Sequence, residues 1–234
     1  MEPGSTVTIG IPVYQGVEPL DVVGAYEVFA EMGLMVQERE EKAKLEARTT
    51  VNVWLLAEDP GVITTRLGMS LLPHRTFSQI EHLDVLWVPG GSSEALDRLM
   101  KGGAYLDALR RWSEAAAWVT SVCDGAMLLA AAGLLDGCSA TTHWAYYPCL
   151  KKFPNVTPVP PDGNGDWPRV VVDGNRVTGG GVSSALDEAL AIVVLLFGEE
   201  VAEAVQVDIQ YFPRPPVNGT IVPNHECSLT YQPA

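Results

Sequence analysis

The chain has 234 residues, which is enough for one α/β domain with a sizeable buried core. Acidic residues number 29 and basic residues 15, giving a formal net charge of −14. Without a basic patch, binding to nucleic acid or to an anionic membrane surface is not expected. The apolar fraction of 47% excludes wholesale disorder.

The predicted elements alternate between strands and helices. Predicted strands are 7–14, 51–57, 83–88 and 118–122, followed by a hairpin of 169–172 and 176–178 around Asp173-Gly174-Asn175. Predicted helices are 19–32 with Gly33 as its stop, 105–117, 126–132 and 184–197. The charged segment 37–48 is expected to be a solvated loop or short exposed helix, and the proline-rich tail from Phe212 to be extended. This order predicts one α/β domain over residues 1–234, whose mostly parallel sheet has helices on both faces.

Targeting signals and a disulfide framework are not expected. The longest uncharged apolar stretches, 125–135 and 189–198, are eleven and ten residues long, whereas a membrane-spanning helix needs about 20. The first residues lack the basic and apolar regions of a secretory signal. The four cysteines form no CxxC pair. We therefore expect a cytoplasmic protein in which Cys138, Cys149 and Cys227 are packing residues.

The strongest candidate site follows the predicted strand 118–122, where Cys123-Asp124-Gly125 precedes a helix. Ligands of such sheets bind at the carboxyl ends of the strands. A sharp turn there would place the sulfur near a helix N-terminus, whose dipole and free N–H groups favour the thiolate. This is the cysteine analogue of a nucleophile elbow. The alternative interpretation is a buried structural cysteine.

Two further strand ends carry candidate groups. Pro89-Gly90-Gly91 could hold a developing anion through backbone N–H groups, although this tripeptide also forms simple turns. Asp21 follows the first strand, either as a cap or first-turn acid of the helix or as an acid aimed into the crevice. Beside a thiolate its pKa should rise, and the protonated form could donate a proton.

His143, in Thr141-Thr142-His143-Trp144, is a candidate base for Cys123, and a role in the substrate pocket is equally compatible with the sequence. No His, Cys, Asp or Glu spacing resembles a metal site. Gly179-Gly180-Gly181 fits neither common nucleotide-binding pattern. No metal or cofactor is therefore expected.

Six segments occur in a fixed order along the chain: IGIPVYQGVEPLDVVGAYEVF, DVLWVPGG, SVCDGAMLLAAAGLLDG, SATTHWA, NRVTGGGVSSALDEALAIVVLLFGEE and AVQVDIQYFPRPP. With them the chain, from about Val7 to Pro216, resembles the ThiJ/PfpI superfamily, which shares its fold with class I glutamine amidotransferase domains. Within that superfamily it is most similar to the isocyanide (isonitrile) hydratases. The resemblance implies a flavodoxin-like α/β sandwich that forms a homodimer.

The resemblance also implies roles for individual residues. Cys123 would be the nucleophile and Asp21 the acid, with Gly91 and the backbone N–H of Asp124 as oxyanion-type donors. Asp124 is a departure, because the hydratases have Thr there and the protease-like members His. An ionised Asp124 would oppose a thiolate, so it must point away, be hydrogen-bonded or handle protons. The missing His argues against peptidase chemistry.

Three functions remain open, of which the first is favoured. An isocyanide hydratase would form N-formamides without a cofactor: Cys123 attacks the terminal carbon, Asp21 supplies a proton and Asp124 helps guide water. An apolar pocket including Trp144 and Tyr146 would hold the R group. A glyoxalase- or deglycase-type enzyme would instead attack dicarbonyls, although relatives of that kind carry Glu at position 21. A non-catalytic module would sense oxidation or a ligand at the cysteine.

Two expectations complete this interpretation. An Asp21 carboxyl oxygen should lie within hydrogen-bonding distance of the Cys123 sulfur. About 18 residues follow Pro216, which leaves no space for the helix-turn-helix region that AraC-type regulators carry after this domain.

Overall fold

A seven-stranded sheet forms the centre of the computed structural model, which describes residues 4–233. The strands, in chain order, are β1 (Thr6–Pro12), β2 (Thr50–Ala57), β3 (Ile63–Thr64), β4 (Ser70–Leu71), β5 (Arg75–Thr76), β6 (Val85–Val88), β7 (Trp118–Ser121), β8 (Ser139–Ala140), β9 (Thr157–Pro158), β10 (Val170–Asp173) and β11 (Arg176–Gly179). The order in the main sheet is β10-β11-β7-β6-β1-β2-β5. The β10–β11 hairpin is antiparallel and the other neighbouring pairs are parallel.

Helices cover both faces of this sheet. They are α1 (Pro19–Lys42), α2 (Ser93–Leu99), α3 (Ala104–Ser113), α4 (Gly125–Ala131), α5 (Tyr147–Leu150), α6 (Ser184–Phe197) and α7 (Glu199–Asp208). One group, α1, α6 and α7, packs together, while α3 and α4 contact β6 and each other. All four residues of β6 are buried, as expected of a central parallel strand. The predicted α/β fold with a mostly parallel sheet is therefore confirmed, as is the hairpin around Gly174.

Helix α1 continues past the predicted stop at Gly33 and ends at Lys42. Gly33 lies against β2, and a Cβ at this position would be 3.1 Å from the Cβ of Val51. The glycine thus permits close packing of helix on sheet, and it does not end the helix. The first part of the charged segment 37–48 is accordingly the last turns of α1. Within that segment Glu40 is buried, and its carboxylate accepts hydrogen bonds from the N–H and hydroxyl of Thr49.

A disulfide joins Cys149 of α5 to Cys227 of the C-terminal tail, 78 residues further along the chain. The interpretation of both as packing residues is therefore wrong. The spacing of the cysteines in the sequence did not indicate this disulfide, because the two sulfurs meet only where the C-terminal tail crosses α5. Disulfides are rare in cytosolic proteins, so the bond does not support the reduced setting inferred from the cysteine count. Cys123 and Cys138 are free thiols.

The tail from Phe212 forms no helix or strand up to residue 233. Over the described part of the chain, no helix has both the length and the apolar character that crossing a bilayer requires.

Candidate active site

Cys123 occupies the bend between β7 and α4 in a left-handed conformation, with φ of 58°. Such a conformation is uncommon for a residue other than glycine and persists only where the surroundings hold it. The Cys123 N–H donates to the Gly180 carbonyl at 2.8 Å, and its carbonyl accepts from the Thr142 hydroxyl at 2.8 Å. The predicted sharp bend between strand and helix is therefore present, and the segments that follow β8 and β11 fix its geometry.

Gly125, the first residue of α4, allows the bend to approach β6. A Cβ there would lie 2.3 Å from the Val88 carbonyl oxygen and 3.0 Å from the Pro89 carbonyl carbon, both backbone atoms. We expect Gly125→Ala to lower the free energy of unfolding by about 1–3 kcal/mol, because the elbow must shift away from the sheet. Urea unfolding measures this change. Gly163→Ala, where a Cβ meets open space, is the matched control, and equal stabilities of the two variants would contradict the packing argument.

Asp21 lies in the first turn of α1, and its side chain is completely buried. Its Oδ2 accepts from the Gly90 N–H at 2.9 Å, and its backbone carbonyl accepts from Trp87 Nε1 at 2.9 Å. Its Oδ1 has no hydrogen-bond partner, so the expected hydrogen bond from this oxygen to Cys123 is absent. Burial, followed by the charge of Asp124, raises the Asp21 pKa well above its usual range. Both effects favour the neutral carboxylic acid form of Asp21.

Asp124 is held by the glycine turn after β6. Its Oδ1 accepts from the Gly91 N–H at 2.8 Å, and a Cβ at Gly90 would lie 1.9 Å from the same oxygen. Of the three possibilities for Asp124, the structure shows the hydrogen-bonded one. The N–H groups of Gly90 and Gly91 thus donate to carboxyl groups of the protein. A role as oxyanion donors to substrate would require those carboxyl groups to move.

The ionisation of Asp124 should make stability depend on pH. Burial raises its pKa to about 7, against an ordinary value of about 4. The stability linked to this group is fully present below the ordinary pKa and is lost as the pH rises through about 7. We therefore expect the melting temperature of Asp124→Asn, relative to wild type, to increase by several degrees between about pH 5 and pH 8.

Asp59→Asn, which alters an exposed acid, is the control for this measurement. Parallel pH profiles of wild type and Asp124→Asn would show that Asp124 does not titrate in this window.

The Cys123 thiol has a pKa well above its ordinary value, first because it is buried and then because Asp21 and Asp124 lie near it. The backbone N–H of Asp124 at the start of α4 lowers this pKa, as expected of a helix N-terminus, but burial and the two acids outweigh it. Only 6% of the residue is exposed, and the two charges that most affect its pKa belong to acids. Attack by this sulfur thus requires its proton to leave as the new bond forms.

His143 and Trp144 lie on the segment that follows β8. Burial lowers the pKa of His143, with a smaller effect from the charge of Arg66, so the imidazole is neutral. Its Nδ1 accepts from the Ala145 N–H at 3.2 Å, and its ring lies over Gly181, where a Cβ would come within 2.3 Å of Cδ2. This places His143 in the wall of the site.

Two adjoining cavities surround the elbow. The smaller, about 280 Å³, is lined by Glu18, Arg66, Gly91, Ser92, Ser93, Cys123, Asp124, His143, Tyr146 and Val182. The larger, about 740 Å³, includes Trp144, Trp167, Arg169 and Ile221. His143 and Val182 line both, so a ligand could have its reacting group beside the sulfur and a bulkier part in the larger cavity. Asp21 lines neither cavity, although its carboxyl group is close enough to Cys123 to raise the pKa of the thiol.

Sequence reasoning missed an ion pair and a buried acid at this site. Glu18 is buried and pairs with Arg66, which comes from the loop between β3 and β4. Glu188 of α6 is completely buried, and burial followed by the charge of Asp21 raises its pKa well above the usual range, against a smaller lowering by the backbone of Ser121. Glu18 precedes Pro19 in IGIPVYQGVEPLDVVGAYEVF, the first of the six segments that carry the family resemblance. Nothing in the local pattern distinguished Arg66 or Glu188.

Within residues 4–233, no three His, Cys, Asp or Glu side chains are grouped so that they could hold a metal ion. The titratable groups near Cys123 are instead arranged around one thiol and its proton.

A parallel sheet with a cysteine at a strained strand-to-helix bend defines the class of protein. Residues 7–195 match the DJ-1/PfpI family, and the chain belongs to this family. The predicted resemblance to ThiJ/PfpI proteins is thereby confirmed.

Individual relatives fall into two functional groups. The chain is 37% identical over 211 residues to the isonitrile hydratase of Pseudomonas putida, covering 90% of this chain and 81% of that protein. It is 30% identical over 162 residues to the HTH-type transcriptional regulator GlxA of Rhizobium meliloti, covering 69% of this chain and only 47% of the regulator. A solved ThiJ/PfpI family protein from Pseudomonas syringae has a TM-score of 0.77 and 29% identity, over 92% of this chain and 79% of that one.

Proposed function

We propose that this protein is an isocyanide hydratase, which converts R–NC and water to the N-formamide R–NH–CHO. The observation that carries the proposal is the completely buried acid Asp21, with a raised pKa, near Cys123 in a chain 37% identical to an isonitrile hydratase. An isocyanide is uncharged, and its terminal carbon accepts both a nucleophile and a proton. A thiol and a carboxylic acid that are both neutral at rest suit such a substrate, since no ion has to be desolvated when it binds.

The first half of the reaction forms a thioimidate. The Cys123 sulfur bonds to the terminal carbon while Asp21 delivers its proton to that same carbon, giving R–N=CH–S–Cys. The proton leaving the thiol is taken up by the carboxylate that this transfer creates, so the acid is restored. Because the thiol pKa is high, this exchange avoids a free thiolate in the buried site.

The second half consumes water. A water molecule adds its oxygen to the thioimidate carbon and its protons pass to the nitrogen and, on collapse, to the departing sulfur. The products are R–NH–CHO and the Cys123 thiol. Asp124, whose pKa of about 7 lets it accept and donate protons near neutrality, is the group that guides this water from the cavity side.

The test is direct turnover of p-nitrophenyl isocyanide by the purified protein, followed by appearance of the N-formamide. Methylglyoxal consumption is measured in parallel, and mass spectrometry after mild peroxide reports oxidation of Cys123. We expect formamide production and no dicarbonyl turnover. Methylglyoxal consumption without formamide would support the dicarbonyl enzyme. Oxidation at Cys123 with neither turnover would support a sensing module, for which the high thiol pKa is unfavourable.

We also propose that the protein is a homodimer, as its resemblance to the ThiJ/PfpI superfamily implies. Light scattering coupled to size-exclusion chromatography measures the molar mass, and a value near 25.2 kDa would contradict a dimer.

A further inference from the structure

The C-terminal segment 221–231 lies across α5 and α2 and is held there by several contacts. The Cys149–Cys227 disulfide joins it covalently to α5. Asn224 Nδ2 donates to the Ala145 carbonyl at 3.0 Å, just before that helix. At the far end of the segment, the Asp97 carboxylate of α2 accepts from the backbone N–H groups of Thr230 and Tyr231.

The same segment lines the larger cavity and contacts a residue in the wall of the smaller one. Ile221 lines the larger cavity, beside Trp144 and Trp167. Ser228 interacts with the hydroxyl of Tyr146, which lines the smaller cavity together with Cys123. That hydroxyl also bonds to Ser93 Oγ at 2.8 Å, so the tail, α2 and the turn before α5 meet at one point.

The position of this segment depends on its attachments. Residues 221–231 form no helix or strand, so no backbone ladder holds them in register. The disulfide and the Asp97 contacts hold this segment together with the Asn224 hydrogen bond, the buried side chain of Leu229 and the stacking of Tyr231 on Phe153. Loss of the disulfide or of the Asp97 contacts would let the segment regain conformational entropy and leave its place beside the cavities.

We propose that segment 221–231, fastened by the Cys149–Cys227 disulfide and by Asp97, is a wall of the substrate cavity that limits the size of the molecule admitted to Cys123. This inference rests on the proposed function for the identity of the substrate. The claim that the segment restricts access to the Cys123 sulfur can be tested without any turnover.

The first measurement compares kcat/KM for methyl isocyanide and 2-naphthyl isocyanide. In the double variant Cys149→Ser/Cys227→Ser, we expect kcat/KM for 2-naphthyl isocyanide, divided by kcat/KM for methyl isocyanide, to rise about fivefold or more. The rise should come mainly from a lower KM for the naphthyl compound. Cys138→Ser removes a free thiol that lines neither cavity and should keep the wild-type ratio. An unchanged ratio in the double variant would overturn the proposal.

The second measurement needs no turnover. Alkylation of Cys123 by iodoacetamide and by N-(1-pyrenyl)maleimide is followed by mass spectrometry of the peptide that contains it. Both the double variant and Asp97→Ala, which keeps the disulfide, should accelerate the bulky reagent selectively. If the wild-type protein hydrates no isocyanide but the alkylation rates of Cys123 change as expected, the proposed function is wrong and the proposal that segment 221–231 limits access still holds. If formamide is produced but neither variant changes the relative alkylation rates, the wall is refuted and the function stands.

Discussion

Replacing Cys123 by alanine should abolish isocyanide hydration, with kcat/KM falling by at least about 10³-fold. The sulfur is the only group proposed to bond to the terminal carbon of the isocyanide. Without it, protonation of that carbon by Asp21 cannot lead to a thioimidate. Alanine keeps the Cβ and meets the same left-handed backbone at φ of 58°, so the elbow should survive. Steady-state formation of N-formamide measures the loss.

Cys138→Ala is the matched control for this variant, because Cys138 is also a free thiol but lies outside the cavities around the elbow. It should retain the wild-type rate. Thermal unfolding confirms that both variants are folded. Appreciable turnover by a folded Cys123→Ala protein would rule out the thioimidate mechanism.

Asp21→Asn should lower kcat by about 10²–10⁴-fold, the range typical of losing a general acid. Asparagine has nearly the same shape and can still accept the hydrogen bond from the Gly90 N–H, but it cannot transfer a proton to carbon. The fold should therefore change little while the chemical step slows. Because burial raises the pKa of Asp21, wild-type activity should decline as the pH rises through that raised value, and the residual activity of the variant should lack this decline.

Asp107→Asn provides the comparison, since Asp107 is also a first-turn acid but lies on the exposed face of α3. Its kinetics should match wild type. If Asp21→Asn kept its full rate, the proton would have to come from another group, and Glu188, whose carboxyl group is completely buried, would be the next residue to replace.

The elbow could be predicted because its signals are local. An apolar run that ends at Cys123 and is followed at once by Gly125 and a helical pattern specifies a strand, a tight bend and a helix. The parallel sheet then follows from alternation of such units. Gly33 shows the limit of the same reasoning. The local sequence does not distinguish a glycine that ends a helix from a glycine that lets a helix pack closely on a sheet.

The electrostatics of the site could not be predicted in this way. A helix N-terminus after Cys123 favours a thiolate, but two buried acids and the loss of solvent outweigh it and raise the thiol pKa. One of these acids comes from a segment about a hundred residues earlier. The sequence did not indicate that Gly90 and Gly91 would donate their N–H groups to those two carboxyl groups.

From the sequence alone came the fold class, the family and the candidate nucleophile, because strand and helix periodicity, tight-turn glycines and motif order are properties of neighbouring residues. Only the tertiary structure decided the directions of the pKa shifts, the Glu18–Arg66 pair, the two cavities and the disulfide that ties the tail to α5. These depend on burial and on distances between residues far apart in the chain. Both burial and these distances are set only when the folded sheet brings the ends of its strands together.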